Sequence, residues 1–139
     1  MTEEIFLIEP DIQYKDSFQK IVKEYKEADE MTYYNMYHDA LKNFGEFVTK
    51  LKNYAVGEGL PEGWKPYSTF WLTDSSEEIK GIIRIRHEAI PIHGHIGYDV
   101  PPSKRRNGYG SRLLKLALEK AKSMGIDKLY ITCDCSNIG

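Results

Sequence analysis

Residues 98–114 read YDVPPSKRRNGYGSRLL, from Tyr98 to Leu114, and this stretch decides the fold. Gly94 to Val100 reads as a strand that stops where Pro101 and Pro102 cannot continue it. A short basic loop follows, with Lys104, Arg105 and Arg106, and then Gly108 and Gly110 at the start of a helix. That helix runs from about Asn107 to Met124, because Leu113, Leu114, Ala117, Leu118, Ala121 and Met124 recur at helical spacing. Gly125 stands where a helix-terminating glycine belongs. Lys128 to Cys133 (KLYITC) reads as the next strand. A strand, helix, strand unit of this kind implies parallel pairing and a right-handed crossover.

The same stretch carries the chemistry. The first amides of a helix have no intrahelical acceptor, and the aligned peptide dipoles add partial positive charge there. Glycines without a Cβ let an anion approach those amides. The combination makes a phosphate or pyrophosphate cradle with basic side chains as outer support. Gly108-Tyr-Gly110-Ser-Arg-Leu113 lacks the third glycine of the dinucleotide fingerprint, and no Gly-Lys-Ser/Thr of a P-loop is present. The competing reading is purely structural: the glycines permit a tight strand-to-helix turn, and the basic run is a solvated corner.

Working outward, Ile5 to Ile8 reads as a short strand ended by Glu9-Pro10. Tyr14, Phe18, Ile21, Val22 and Tyr25 give an amphipathic helix over about 13–27. A polar, Tyr-rich stretch from Ala28 to His38 separates it from a second helical stripe, Ala40, Leu41, Phe44, Phe47, Val48, Leu51 and Tyr54. Gly57, Gly59, Pro61, Gly63 and Pro66 mark a loop. Ser68 to Thr73 and Ile79 to His87 then form a hairpin around Asp74-Ser-Ser-Glu-Glu. In the second of these strands Ile79, Gly81, Ile83 and Ile85 share one face, and Ile82, Arg84 and Arg86 the other. The order is β-α-α-β-β-β-α-β, a mixed α/β (α+β) fold.

The 139 residues correspond to one domain, residues 1–139. Apolar residues at 41% and charged residues at 29% describe a folded chain, not a disordered one. Lys plus Arg is 19 against 21 for Asp plus Glu, and that balance of −2 argues against a dedicated nucleic-acid binder. Cys133 and Cys135 are too close to staple distant elements and do not make a four-ligand zinc spacing, so no metal is expected. The opening Met1-Thr-Glu-Glu lacks the layout of a signal peptide, and no apolar run approaches the ~20 residues of a membrane span. No membrane partner and a cytoplasmic location are the expectation.

At Arg105-Arg106-Asn107-Gly108-Tyr109-Gly110 the sequence resembles the GNAT superfamily, the acyltransferases that use acetyl-CoA, whose central motif is Arg/Gln-x-x-Gly-x-Gly/Ala between a strand and a helix. Val100, Pro102, Leu113 and Leu114 fit the wider pattern, and the element order agrees from Ile5 to Cys133. The phrases Leu60-Pro-Glu-Gly-Trp-Lys-Pro, Ile85-Arg-His-Glu and Gly94-His-Ile-Gly-Tyr are similar to a bacterial branch of predicted acetyltransferases.

The resemblance implies an acetyl-CoA-dependent N-acetyltransferase in which a primary amine attacks the thioester directly. Backbone amides of Arg105, Arg106, Asn107, Gly108, Tyr109, Gly110 and Ser111 would hold the CoA pyrophosphate. The strand end at Asp99 and Val100 would pair with the pantetheine arm, and Asn137 would lie beside it. The acceptor would be a small-molecule or peptide amine. The Tyr-rich segment Tyr33 to Tyr37 and the loop from Gly57 to Pro66 would line its side of the site. Relatives often place a Glu on the strand before the motif; here that strand supplies His95 instead, and Glu88 ends the strand before it. His95, Glu88, or a water chain with no dedicated base are the alternatives for taking the amine proton. Tyr98 reads as a packing residue.

The sequence ends at Gly139, where relatives continue into a helix and two further strands, so the resemblance implies a C-terminally incomplete domain truncated after the fifth strand. Two expectations follow from it: weaker CoA binding, and a homodimer through the uncovered sheet edge. A CoA-binding domain without catalysis is the second functional reading, and a nucleic-acid module using Lys104, Arg105, Arg106 and Arg112 the third.

Overall fold

A computed structural model describes residues 4–90 and 94–126, with only the backbone of 88–90, 94 and 95. The expected strand from Lys128 to Cys133, both cysteines, Asn137 and the sheet edge proposed for dimerisation lie outside the described residues. Four strands, β1 (Ile5–Ile8), β2 (Tyr67–Asp74), β3 (Ile79–Ile90) and β4 (Gly94–Asp99), form an antiparallel sheet in the order β1-β2-β3-β4. Helices α1 (Lys15–Glu27), α2 (Met31–Tyr37) and α3 (Phe44–Ala55) precede β2, and α4 (Tyr109–Ser123) follows β4.

The sheet is the middle layer. On one face Trp71, Ile79 and Ile82 pack with Phe18, Ile21, Val22 and Tyr25 of α1 and with Phe44, Phe47 and Val48 of α3. Phe18 is the centre of this packing, with its ring 4.8 Å from Trp71 and 5.2 Å from Phe47. On the other face Phe70, Leu72, Ile83, Ile85, Ile96 and Val100 meet Leu113, Ala117 and Ala121 of α4. Gly81 allows that close approach, because a Cβ there would lie 3.0 Å from Leu113 Cδ2. Burial of two amphipathic layers against a two-faced sheet is the main stabilising term. The structure therefore has the mixed α+β architecture read from the sequence.

Helix ends follow their local chemistry. Asn43 caps α3 by accepting from the Glu46 amide at 3.0 Å. Gly125, at φ +86°, closes α4, with its amide and that of Ile126 donating to the Lys122 and Ala121 carbonyls. Among the described residues no helix is long and apolar enough to cross a membrane.

Two local readings differ from the structure. The polar, Tyr-rich stretch contains α2, because Tyr33 and Tyr37, one turn apart, bury their rings against Tyr25 and Phe18 at 5.1 and 5.5 Å. Ile79 also lies on the face of Ile82, not that of Ile83 and Ile85. Leu72 pairs with Gly81 but Thr73 pairs with Ile79, so Lys80 is an extra residue that inverts the alternation. Lys80 is nevertheless buried, its ammonium 3.3 Å from Asp74 and 3.5 Å from Glu78.

Candidate active site

The turn from β4 into α4 is built by side chains reaching back from distant elements. After Val100 the chain makes a short 3-10 turn over Pro102–Lys104. The Ser103 amide donates to Glu24 of α1, and Lys104 pairs with Glu78. Arg105 donates through Nε to the Val100 carbonyl at 2.9 Å and through both terminal nitrogens to Glu30 at 2.7 and 2.6 Å. The hydrogen bond to Glu30 outweighs partial burial and raises the guanidinium above its ordinary value. Asn107 closes the loop by donating to the Lys104 and Arg105 carbonyls at 3.1 and 3.0 Å. Arg106 and Gly108 both take left-handed backbone, at φ +63° and +75°. Gly108 is the N-cap of α4, has no side-chain cap, and faces open space where a Cβ would stand. The helical ladder starts with the Arg112 amide donating to the Gly108 carbonyl at 3.2 Å. The amides of Gly110 and Ser111 precede that first rung and project from the helix end.

The basic loop is therefore not uniformly available. Lys104 and Arg105, expected as outer support for an anion, are held in ion pairs that shape the turn. Arg106 is exposed and makes no ion pair among the described residues.

Asp99 closes β4 with a fully buried side chain that points away from α4, into the layer of α1 and α2. Tyr25 and Tyr37 each donate to its carboxylate at 2.5 Å, and Arg84 of β3 donates at 2.8 Å. Arg84 also donates to the Tyr37 hydroxyl. Burial, reinforced by the Asp99 charge, pushes both phenols well above their ordinary value, so they remain donors. Burial opposes the Arg84 charge, but Tyr37 and Asp99 beside it prevail and raise its pKa.

Tyr37 and Arg84 lie at the same time in the wall of a cavity of about 640 Å³. Its floor is the sheet face carrying Tyr67, Thr69, Trp71, Arg84 and Arg86, and its sides come from α2, α3 and the loop around Trp64. Trp64 is 56% exposed and leans on Tyr67, which in turn meets Tyr54 at 5.7 Å. Burial pushes the Tyr67 phenol up to about 12. The volume falls within the range of small-molecule sites.

A model of the Acetyltransferase (GNAT) family matches residues 12–139. The chain belongs to the GNAT acetyltransferase family. A comparison with curated proteins returns no match. The GNAT motif residues Arg105 to Ser111 thus form the turn and first helical residues just described, with Asp99 and Val100 at the strand end before them. Within this GNAT chain the Asp99 side chain serves the buried cluster, which leaves only its backbone for any partner at the strand end. The Val100 carbonyl already accepts from Arg105. His95 lies on β4 and Glu88 on β3, and their side chains are outside the described residues. Among the described residues no three His, Cys, Asp or Glu side chains gather as a metal site would.

Sequence reasoning missed the Tyr25, Tyr37, Arg84 and Asp99 cluster, whose members come from four elements. One signal was present: Arg84 and Arg86 alternate with Ile83 and Ile85, so two guanidiniums on a central strand face one side. A central strand does not carry buried charge without partners, and that rule pointed to a polar face opposite the α4 core.

Proposed function

We propose that residues 1–139 act as one acyl-transfer domain, an acetyl-CoA-dependent N-acetyltransferase for a primary amine. The observation that carries this reading is the strand, turn and helix in which left-handed Gly108 opens α4 onto unobstructed space. Amides at a helix end and a glycine without a Cβ suit a CoA diphosphate. Arg106 is the basic side chain best able to join it, since Lys104 and Arg105 already hold carboxylates.

The acceptor amine enters the cavity on the opposite side of the sheet, beside Tyr37 and Arg84. Attack of its nitrogen on the thioester carbonyl carbon forms the amide bond and breaks the carbon–sulfur bond. The amine proton leaves, and the CoA sulfur ends as a thiol. The proton acceptor is His95 or Glu88, with water as the remaining route. His95→Ala and Glu88→Gln separate them: loss of the acidic limb of the kcat/KM profile in one variant alone identifies the base.

Titration calorimetry with CoA and acetyl-CoA, followed by thiol release with a panel of amines, tests the reading. Binding of both with amine-dependent thiol release is the expected result. Binding without release for any amine leaves a CoA-binding domain. Absence of binding ends the assignment.

A further inference from the structure

The part of the cavity wall that a ligand can touch is largely aromatic. Trp64 is 56% exposed and Met36 45%, and both line the cavity. Tyr54, Tyr67 and Leu51 line it too and are half-buried. Tyr67 meets Trp64 at 6.1 Å and Tyr54 at 5.7 Å, with ring planes tilted by 50° and 36°. The three rings form one continuous aromatic wall that runs from α3 across β2 to the loop around Trp64.

The loop holds the indole in place. The Trp64 amide donates to the Pro61 carbonyl at 3.1 Å, across a turn in which Gly63 takes left-handed backbone at φ +84°. The His87 amide donates to the Pro66 carbonyl at 3.1 Å and ties the end of the loop to β3. An indole fixed beside a cavity, with most of its surface in water, has apolar area left to bury, and a flat ring covers it best.

The charges limit what that ring can carry. Among the described residues Asp39 is the one carboxylate lining the cavity, and it lies 3.4 Å from His38 Nε2. Lys50, Lys65, Arg84 and Arg86 line the same cavity. Arg84 is matched by Asp99 at 2.8 Å, and Lys50 faces Glu46 at 3.9 Å, so these two offer no seat for an anion. They offer none for a cation either. A second or third ammonium on the substrate would be desolvated among like charges with no carboxylate left to meet it. The volume of about 640 Å³ accommodates a one- or two-ring body with a short amine-bearing chain.

We infer that this cavity selects a primary monoamine with an aromatic body, which stacks on Trp64 and Tyr67, over a polyamine or a lysine-rich peptide. The inference deepens the reading of the cavity as the acceptor site and rests on it. The aromatic wall supplies affinity through the ring, and the scarcity of carboxylates selects against added positive charge.

Trp64 and Trp71 are the two tryptophans of the chain, and Trp71 is fully buried, so ligand contact is read from Trp64 emission. The full chain is titrated with 2-phenylethylamine, with n-propylamine, which lacks the ring, and with spermidine, each with and without CoA. 2-Phenylethylamine should shift the emission to the blue saturably and bind about tenfold tighter or more than either of the others, the gain of burying a phenyl ring. In calorimetry Trp64→Ala should weaken 2-phenylethylamine about five- to tenfold and leave the weaker binding of n-propylamine unchanged. Its melting temperature should match wild type, because the residue is mostly exposed. Trp64→Phe should restore most of the lost affinity. Failure of 2-phenylethylamine to bind in either titration, equal or tighter binding of spermidine or n-propylamine, or an affinity unchanged in Trp64→Ala overturns the inference. Thiol release distinguishes this from failure of the acyltransferase reading. Release with spermidine but not with 2-phenylethylamine ends the aromatic preference alone; 2-phenylethylamine binding without CoA binding ends the transferase reading and leaves the aromatic-amine site standing.

Discussion

Arg105 and Glu30 meet in a two-pronged ion pair, with N to O distances of 2.7 and 2.6 Å, that ties the loop before α4 to the turn between α1 and α2. The first residue of the family motif is therefore a brace for the turn into α4 and not a free cation. Its planar fork matches a carboxylate in two places, and its Nε simultaneously holds the Val100 carbonyl. Lysine could supply the charge but neither the fork nor the third bond.

Arg105→Lys should accordingly lower stability by about 1 kcal/mol, a modest value because both partners are partly exposed. Urea unfolding measures that loss. CoA affinity should fall although the positive charge is kept, since the turn loses its brace; calorimetry measures the change. An affinity equal to wild type would show that the turn is held by other contacts.

Asp99→Ala removes the acceptor at the centre of a dry cluster and strands Arg84 without its carboxylate. The expected loss is about 3–5 kcal/mol, that of breaking one side of a buried charged pair. Asp99→Asn keeps an acceptor for Tyr25 and should lose less. Chemical denaturation ranks the two, and equal losses would mean that the carboxylate charge, which both variants remove, and not the retained acceptor, holds the cluster.

Tyr25 and Tyr37 are held protonated well above the ordinary phenol value, first by burial and then by the Asp99 charge. Above about pH 10 the unfolded chain releases these protons and the folded chain keeps them. The unfolded state then binds fewer protons, so stability falls as pH rises from there. Unfolding midpoints measured from neutral to strongly alkaline pH should decline above about 10. In a phenolate absorbance titration of the folded chain, Tyr67 should appear near 12 while Tyr25 and Tyr37 stay silent until unfolding. A full complement of tyrosines titrating at the ordinary value in the folded protein would contradict the buried cluster.

Gly108→Ala places a Cβ on a residue at φ +75° and should lower stability by about 1–2 kcal/mol, although no neighbour is within clashing distance. Gly108→Asn should cost less, because asparagine tolerates the left-handed region and can cap the helix. The melting temperatures of the two variants should order accordingly; an alanine variant as stable as wild type would show that the turn relaxes freely.

The local patterns that were legible share a cause. The α1 stripe of Phe18, Ile21, Val22 and Tyr25, the α4 stripe through Leu113, Ala117 and Ala121, and the glycine at position 125 all depend on spacing within one element. So does the turn at Gly108, whose left-handed backbone only a few residue types adopt comfortably. Two local readings missed, each for its own reason. In α2 the phenols counted as polar while their rings were the buried surface. At Ile79 an extra residue, Lys80, inverted the alternation, and the offset appears only when β2 is laid beside β3.

Sequence alone determined the succession of β1, α1, α3, β2, β3, β4 and α4, without α2, and with it the two amphipathic helix faces and the glycine-opened helix after a proline-stopped strand, because backbone geometry and hydrophobic period act over a few neighbouring residues. Tertiary structure alone decided the rest. It brought Glu30 to Arg105, gathered Tyr25, Tyr37 and Arg84 around Asp99, and lined one cavity with Met36, Tyr54 and Tyr67. These partners stand far apart along the chain, and their pairing is set by which strands and helices the core packs together. The charge of a residue is written in its type, but whether that charge is spare or already matched depends on what the fold carries to it.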